Sequence, residues 1–453
     1  MSFQRRCHAA WACTSHGVAI CAVLLIAAAG ARADEAAGAG PYPRLATFAR
    51  ALAHIENSYV GEVDQDALID GAIRGMLKVL DPHSAYLDPK QLHMLESDTE
   101  GRFGGVGVEI DLSDGWLTVV RVMPQGPAAR AGLLPGDRFL TIEGNSARDL
   151  PFDEAIEKMR GEPGTQVHIM LRRRGVPEAV AVTLTREIIA VEAVTARVLP
   201  DRVVYVQLRE FQENTASDLR RVLDEAVERT AAQGGVRGVL LDLRDNPGGL
   251  LSSAVLVADE FLSDGVIVST RARGGKLLRE NRATAAGTRP GWPLVLLVNG
   301  YSASASEIVA GALHDHKRAV LVGTRTFGKG SVQNVIDLPD GSALKLTTAL
   351  YYTPSGSSIQ AKGIEPDVVV EQLDSKVLRE ARLGGGELTE ASLEGHLLVG
   401  PSTPVAPTSG QGDRAAPKRA VVGASGPAFA DDYQAMMAYQ VLKALIASAP
   451  GAR

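Results

Sequence analysis

The chain has 453 residues, 45% of them hydrophobic, and a formal net charge of −6 from 47 basic and 53 acidic side chains. That length predicts two or three domains with sizeable cores, and the acidic balance argues against nucleic acid as a main partner. All three cysteines, Cys7, Cys13 and Cys21, fall within the first 33 residues, which excludes disulfides, cysteine nucleophiles and thiolate metal sites from the remainder.

Residues 1–33 carry Arg5, Arg6 and Arg32 but no acid, then an apolar run from Gly17 to Gly30, then the small-x-small triplet Ala31-Arg32-Ala33. They predict a cleaved export signal and a mature chain starting at Asp34, with 44 basic against 53 acidic residues, net −9. The apolar run is short for a membrane span. The expected compartment is the periplasm, with membrane association as the alternative if the leader is retained. Residues 34–100 form a helical region, because Leu52, Ile55, Tyr59 and then Leu68, Ile73, Met76, Leu77 and Leu80 recur at helical spacing. It is expected to be a helical cap or an oligomer contact, and DPHSAYLDP (Asp81–Pro89) breaks it.

Residues 101–186 are β-rich: GGVGVEI, WLTVVRV, DRFLTIEG and TQVHIMLRR are strand-like around one amphipathic helix, PFDEAIEKMRG. The glycine loop Gly104-Gly105-Val106-Gly107, followed by GPAARAGLLPGD, resembles a PDZ domain. The four loop residues alone favour an ordinary tight turn, and the added GPAARAGLLPGD reverses that preference. The resemblance implies that backbone N–H groups of the loop receive a peptide's terminal carboxylate while the peptide adds a strand to the sheet.

Residues 187–370 alternate strands (VVYVQL, VRGVLLDL, GVIVST, PLVLLVNG, AVLVG) with helices near Ser217–Thr230, Leu250–Leu262 and Ser304–His314. That alternation predicts an α/β layered core, followed by a second β stretch, SVQNVIDL and ALKLTTALYY. Residues 371–430 are an extension and linker rich in Gly, Pro, Ser and Ala, and 431–453 end the chain with an amphipathic helix docked back on the core.

Three segments of the α/β region carry chemistry. SASASE (Ser302–Glu307) places Ser304 where a buried strand becomes a helix, so that its hydroxyl and the next N–H, that of Ala305, face one point. FGKGSVQ (Phe327–Gln333) offers a lysine, which serves as a base only where burial makes its ammonium form costly. LDLRDNPGG (Leu241–Gly249) forces a sharp turn whose glycines let a substrate approach backbone N–H groups. Each has a plainer reading: a capping box of Ser304 with Glu307, an exposed turn lysine, and a strand-to-helix turn with Asp242 and Asp245 solvated or capping. Gly323–Lys329 also spells most of a phosphate-binding loop, but Gly330 stands where Ser or Thr is needed and a strand pattern follows. His314 is ten helical residues from Ser304, about 15 Å away at 1.5 Å per residue, too far for a triad. His168 and His396 are read as structural. No metal-ligand spacing is present, and no cofactor is expected.

The segments LDPHSAYLDP, FGGVGVEI, GPAARAGLLPGD, LDLRDNPGG, SASASEIVAGAL, GTRTFGKGSVQ and AKGIEPDV together resemble the carboxyl-terminal processing, or tail-specific, proteases. The resemblance implies a crotonase-like α/β core with an inserted PDZ domain, Ser304 as nucleophile, Lys329 as general base and Gln333 as the residue orienting the lysine. It also implies an oxyanion hole from the N–H groups of Gly248 or Gly249 and of Ala305. Lys329 is then expected to be buried, with Gln333 as its hydrogen-bond partner. The implied partners are protein or peptide substrates with exposed apolar C-termini, an adaptor that delivers them, and further copies of the chain. The alternative is a PDZ peptide-binding scaffold on an inactive hydrolase core.

Overall fold

The computed structural model describes residues 44–372, 429 and 432–448. The leader, His396 and nearly all of the predicted linker lie outside the described residues. The chain divides into two compact units, Met1–Ala72 and Ile73–Arg453. In the first, the helix Leu45–Ser58 forms where apolar residues were read at helical spacing, and none of its side chains is buried.

The second unit contains two cores. One belongs to the PDZ-like module, whose sheet runs in the order Val108–Ser113, Trp116–Val122, Arg138–Ile142, Gln166–Arg172 and Val180–Thr185. Val167, Ile169 and Leu171 alternate inward along one strand, as a pleated strand with one wet face requires. They meet Ala155 and Met159 of the helix Phe152–Met159.

The other core is a six-stranded sheet ordered Val194–Val198, Val203–Leu208, Gly238–Asp242, Leu294–Val298, Val320–Gly323 and Val368–Val369. Only its first pairing is antiparallel. Strands such as LVLLV are apolar throughout because both faces are covered. Helices Thr215–Thr230, Leu251–Asp259 and Ala305–Asp315 pack on one face. On the other, Leu240, Val295, Leu297 and Val322 meet Ala435, Ala438, Leu442 and Ile446 of the C-terminal helix Tyr433–Ser448. At roughly 1.5–3 kcal/mol for each large apolar side chain buried, this helix is an integral layer of the fold. The three chemistry-bearing segments follow the carboxyl ends of three neighbouring parallel strands, Gly238–Asp242, Leu294–Val298 and Val320–Gly323. Topology thereby brings them to one place, where open α/β sheets hold their ligands.

Two local expectations need correction. GGVGVEI is not one strand: Arg102–Gly105 pairs with Glu187–Ala190 in a separate two-stranded ribbon, and the PDZ-like sheet begins only at Val108. DPHSAYLDP is more than a break. Its Ala85–Leu87 pairs with Ala343–Lys345 in the second β layer, and Asp88 then caps the helix Pro89–Glu100 by accepting from the Gln91 N–H.

Candidate active site

Ser304 stands between the strand Leu294–Val298 and the helix Ala305–Asp315 with φ 53° and ψ −110°. A non-glycine residue costs roughly 1–3 kcal/mol in such a region and stays there only if its surroundings hold it. The surroundings are explicit. The Ala303 N–H and the Ser306 hydroxyl both donate to the Asn246 carbonyl at 3.0 Å, and the Ser302 hydroxyl donates to the Leu243 carbonyl at 2.8 Å. The Asp245 N–H donates to Asn299 Oδ1 at 3.1 Å, and Asn299 Nδ2 returns a bond to Asp245 Oδ1 at 3.0 Å. The RDNPGG turn and the serine loop are thus stitched into one piece. A methyl group on Gly248 (φ 107°) would sit 2.9 Å from Ser304 Cβ and 3.0 Å from the Ala305 nitrogen, so only glycine fits against the serine.

The lysine loop joins this piece through Glu307, which is fully buried. Its Oε2 accepts from the Ser304 N–H at 2.8 Å and the Lys329 N–H at 2.9 Å. Oε1 accepts from the Thr326 hydroxyl at 2.6 Å and the Gly328 N–H at 2.7 Å. The expected capping box of Ser304 with Glu307 is present, and the same carboxylate also fixes the backbone on which Lys329 stands. Burial pushes its carboxyl up to about 7, against the pull of those four donors. The loop is closed from the far side by Gln360, whose Oε1 accepts from the Gly330 N–H at 2.9 Å. Lys329 itself is half-buried, not enclosed as expected, although Gly328 and Gly330 beside it are buried.

Gln333 lies in the strand Ser331–Asp337 at a register shift opposite Thr347, where a bulge re-aims a side chain. Its Nε2 donates to the Ser331 hydroxyl at 3.0 Å and to Thr347 Oγ1 at 3.4 Å. Both bonds use the amide nitrogen. Thr347 in turn donates to Asp81 Oδ1 at 3.1 Å. Burial raises the Asp81 carboxyl, but donation by the Ser84 hydroxyl, the His83 and Ser84 N–H groups and Thr347 outweighs it and holds the group below its usual range.

The oxyanion candidates separate on geometry. Of the two alternatives Gly248 and Gly249, the Gly248 N–H already donates to Asn246 Oδ1 at 2.9 Å. The Gly249 N–H is not used by the turn, whose bridge to Phe211 runs through the Gly248 carbonyl and the Leu250 N–H, and Ala305 supplies the first N–H of its helix. Asp242 is not solvated but completely buried: it caps the turn by accepting from the Arg244 N–H at 3.0 Å, and it is bound by the Arg244 guanidinium at 2.7 Å and by the Tyr205 hydroxyl at 2.8 Å. Gly104 and Gly105 lie in the two-stranded ribbon, and Val106 and Gly107 connect it to the PDZ-like sheet. His314 is bound to Asp367 at 3.2 Å, and the lysine loop leads into a strand, as no phosphate-binding loop does. Among the described residues no cluster of His, Cys, Asp and Glu could hold a metal. Sequence reading passed over Glu307 as a cap and Asp81 as a turn residue. The available signals were a lone carboxylate in the apolar run SASASEIVAGAL and an aspartate opening a turn.

The model of Peptidase family S41 matches residues 202–370. A PDZ domain model matches 118–173, and the model of the activating protease CtpB N-terminal domain matches 26–91. The carboxy-terminal-processing protease of Bartonella bacilliformis is 43% identical over 357 residues, which are 79% of this chain and 81% of that one. This chain belongs to the carboxy-terminal processing proteases. The carboxy-terminal processing protease CtpA of Bacillus subtilis is 35% identical over 72% of this chain and 68% of its own. A solved photosystem II D1 C-terminal processing protease is 32% identical, covers 72% of this chain and 92% of its own, and superposes with a TM-score of 0.44. As a carboxy-terminal processing protease of family S41, the chain is a serine peptidase that carries a PDZ domain.

Proposed function

We propose that this chain is an exported endopeptidase that captures protein C-termini in its PDZ domain and cleaves near them with Ser304 and Lys329, supported by Gln333. The observation that carries the reading is the Glu307 carboxylate, which accepts from the Ser304 and Lys329 N–H groups on one oxygen, at 2.8 and 2.9 Å. Two segments 25 residues apart in the sequence are thereby held at one point. Neutral Lys329 takes the Ser304 proton as the hydroxyl oxygen bonds to the scissile carbonyl carbon. The oxyanion is received by the Gly249 and Ala305 N–H groups, each donor of this kind being worth about 10²–10³ in rate. When the C–N bond breaks, Lys329 returns the proton to the leaving amine; water then attacks the acyl carbon and loses a proton to Lys329, the acyl C–O bond to Ser304 breaks, and Lys329 gives that proton to the Ser304 oxygen, which restores both residues.

The PDZ domain is read as the tail receptor, with the strand Val108–Ser113 and the helix Phe152–Met159 as groove walls and the Val106–Gly107 turn at the carboxylate. The layered sheet supports a crotonase-like description of the core. The leader supports export to the periplasm, tested by the mass of the mature N-terminus: Asp34 is expected, and an intact leader would turn the reading to a membrane-anchored form. The activity is tested with a panel of peptides ending in small apolar residues. Cleavage is expected for the wild-type chain and a fall of at least about 10³-fold for Ser304→Ala and for Lys329→Ala. A wild-type chain that binds the panel and cuts none of it would leave the scaffold reading in its place.

A further inference from the structure

We propose that Asp432, at the start of the C-terminal helix, is a positioning residue for the proteolytic site, acting through Arg244 on the turn that carries the oxyanion donor. This rests on the reading of Gly249 and Ala305 as that hole. The helix lies outside the matched protease region, 202–370, and the sequence alone assigned it only to docking.

The contacts go further than docking. Arg244 is 9% exposed and opens the RDNPGG segment. Its Nε and Nη2 donate to the two oxygens of Asp242 at 2.9 and 2.7 Å. Its Nη1 and Nη2 donate to the two oxygens of Asp432 at 2.9 and 2.6 Å, and Nη1 also reaches Gln434 Oε1 at 3.3 Å. One planar guanidinium is therefore gripped by two carboxylates, one from the central sheet and one from a helix 188 residues away. Bidentate pairing of this kind fixes orientation as well as distance. Two residues further along, Asn246 accepts from Ala303 and Ser306 and holds the Gly248 N–H, so the backbone fixed at Arg244 is the one that supports the serine. Take Asp432 away and a nearly buried guanidinium loses two of its five side-chain acceptor atoms, at the root of that turn.

Asp432 also caps its own helix, accepting from the Ala435 N–H at 3.0 Å. The two roles are separable. Asparagine caps as well as aspartate but lacks the charge and one of the two acceptor oxygens that Arg244 uses. Leu442, fully buried on the same helix, anchors the helix without touching Arg244.

The experiment compares full-length Asp432→Asn and Leu442→Ala with the parent, by thermal melting, by steady-state cleavage of an apolar-tailed peptide and by hydrogen exchange. Asp432→Asn is expected to lower kcat at least tenfold with KM within twofold. It should also speed amide exchange in 243–250 while 433–448 stays protected. Leu442→Ala is expected to lower Tm at least as much, yet to keep kcat per folded molecule within twofold. Unchanged exchange in 243–250 with kcat within twofold for Asp432→Asn would overturn the proposal. So would a Leu442→Ala variant that reproduces its loss of kcat per folded molecule. The exchange comparison stands without any cleavage, so a parent that cuts nothing counts against the proposed activity and not against the link from Asp432 to the turn.

Discussion

Glu307 holds the two halves of the site together, and its chemistry makes that role measurable. Four donors fill both of its oxygens, leaving no place for a proton without displacing one of them. Burial nevertheless raises its carboxyl from 4.5 to about 7. The folded state therefore prefers the protonated form more than the unfolded chain does. Its stabilising contribution is complete below pH 4.5 and is lost as pH rises through about 7. Glu307→Gln cannot titrate, so the parent's Tm relative to the variant should fall across that window, and a difference independent of pH would refute the assignment. The same variant should lose about 10²-fold in kcat. An amide has one acceptor oxygen where two are used, and a displacement of the serine or lysine backbone by about 1 Å is enough for such a loss.

At the level of elements, the decisive contact is the RDNPGG turn against the start of the serine helix. Gly248 is the glycine that faces the serine, and Gly248→Ala meets both a positive φ of 107° and a Cβ 2.9 Å from Ser304 Cβ. Its expected result is a loss of at least about 10²-fold in kcat, measured beside a Tm that falls by several degrees. Retained kcat would mean that the turn stands further from the serine. Most of this arrangement was legible locally: LVLLV and VVYVQL read as buried strands, and the turn chemistry of NPGG is contained in its own four residues. What could not be read depended on distant partners. Ala85–Leu87 becomes a strand only because Ala343–Lys345 lies beside it. Gly104 and Gly105 become strand residues only because Ile188 and Glu187 pair with them. The pairing of Asp432 with Arg244 spans 188 residues. A three-residue strand or a single buried ion pair leaves no periodicity in the sequence, whereas a helix face or a parallel strand does.

On the scale of the whole second unit, the PDZ domain is an insertion whose two ends meet. Arg102–Gly105 and Glu187–Ala190 run antiparallel, with Gly105 opposite Glu187, so their Cα atoms are about 5 Å apart. The domain between them, residues 106–186, has its own buried cluster around Phe139, Ile142 and Val167, separate from the cluster that packs on the central sheet. Those facts make the ribbon a natural hairpin stem. Replacing residues 106–186 by Asn-Gly, the pair favoured in two-residue hairpin turns, should close the ribbon and leave the protease core folded, melting cooperatively within several degrees of the parent. The serine loop, the lysine loop and the C-terminal helix all lie outside the excised segment, so hydrogen exchange there should match the parent. What should disappear is discrimination between peptides by their last residues, seen as a KM that no longer separates apolar from charged tails. An excised core that fails to fold would show instead that the PDZ domain is part of the protease's own scaffold, and a core that keeps its tail preference would place recognition outside the groove.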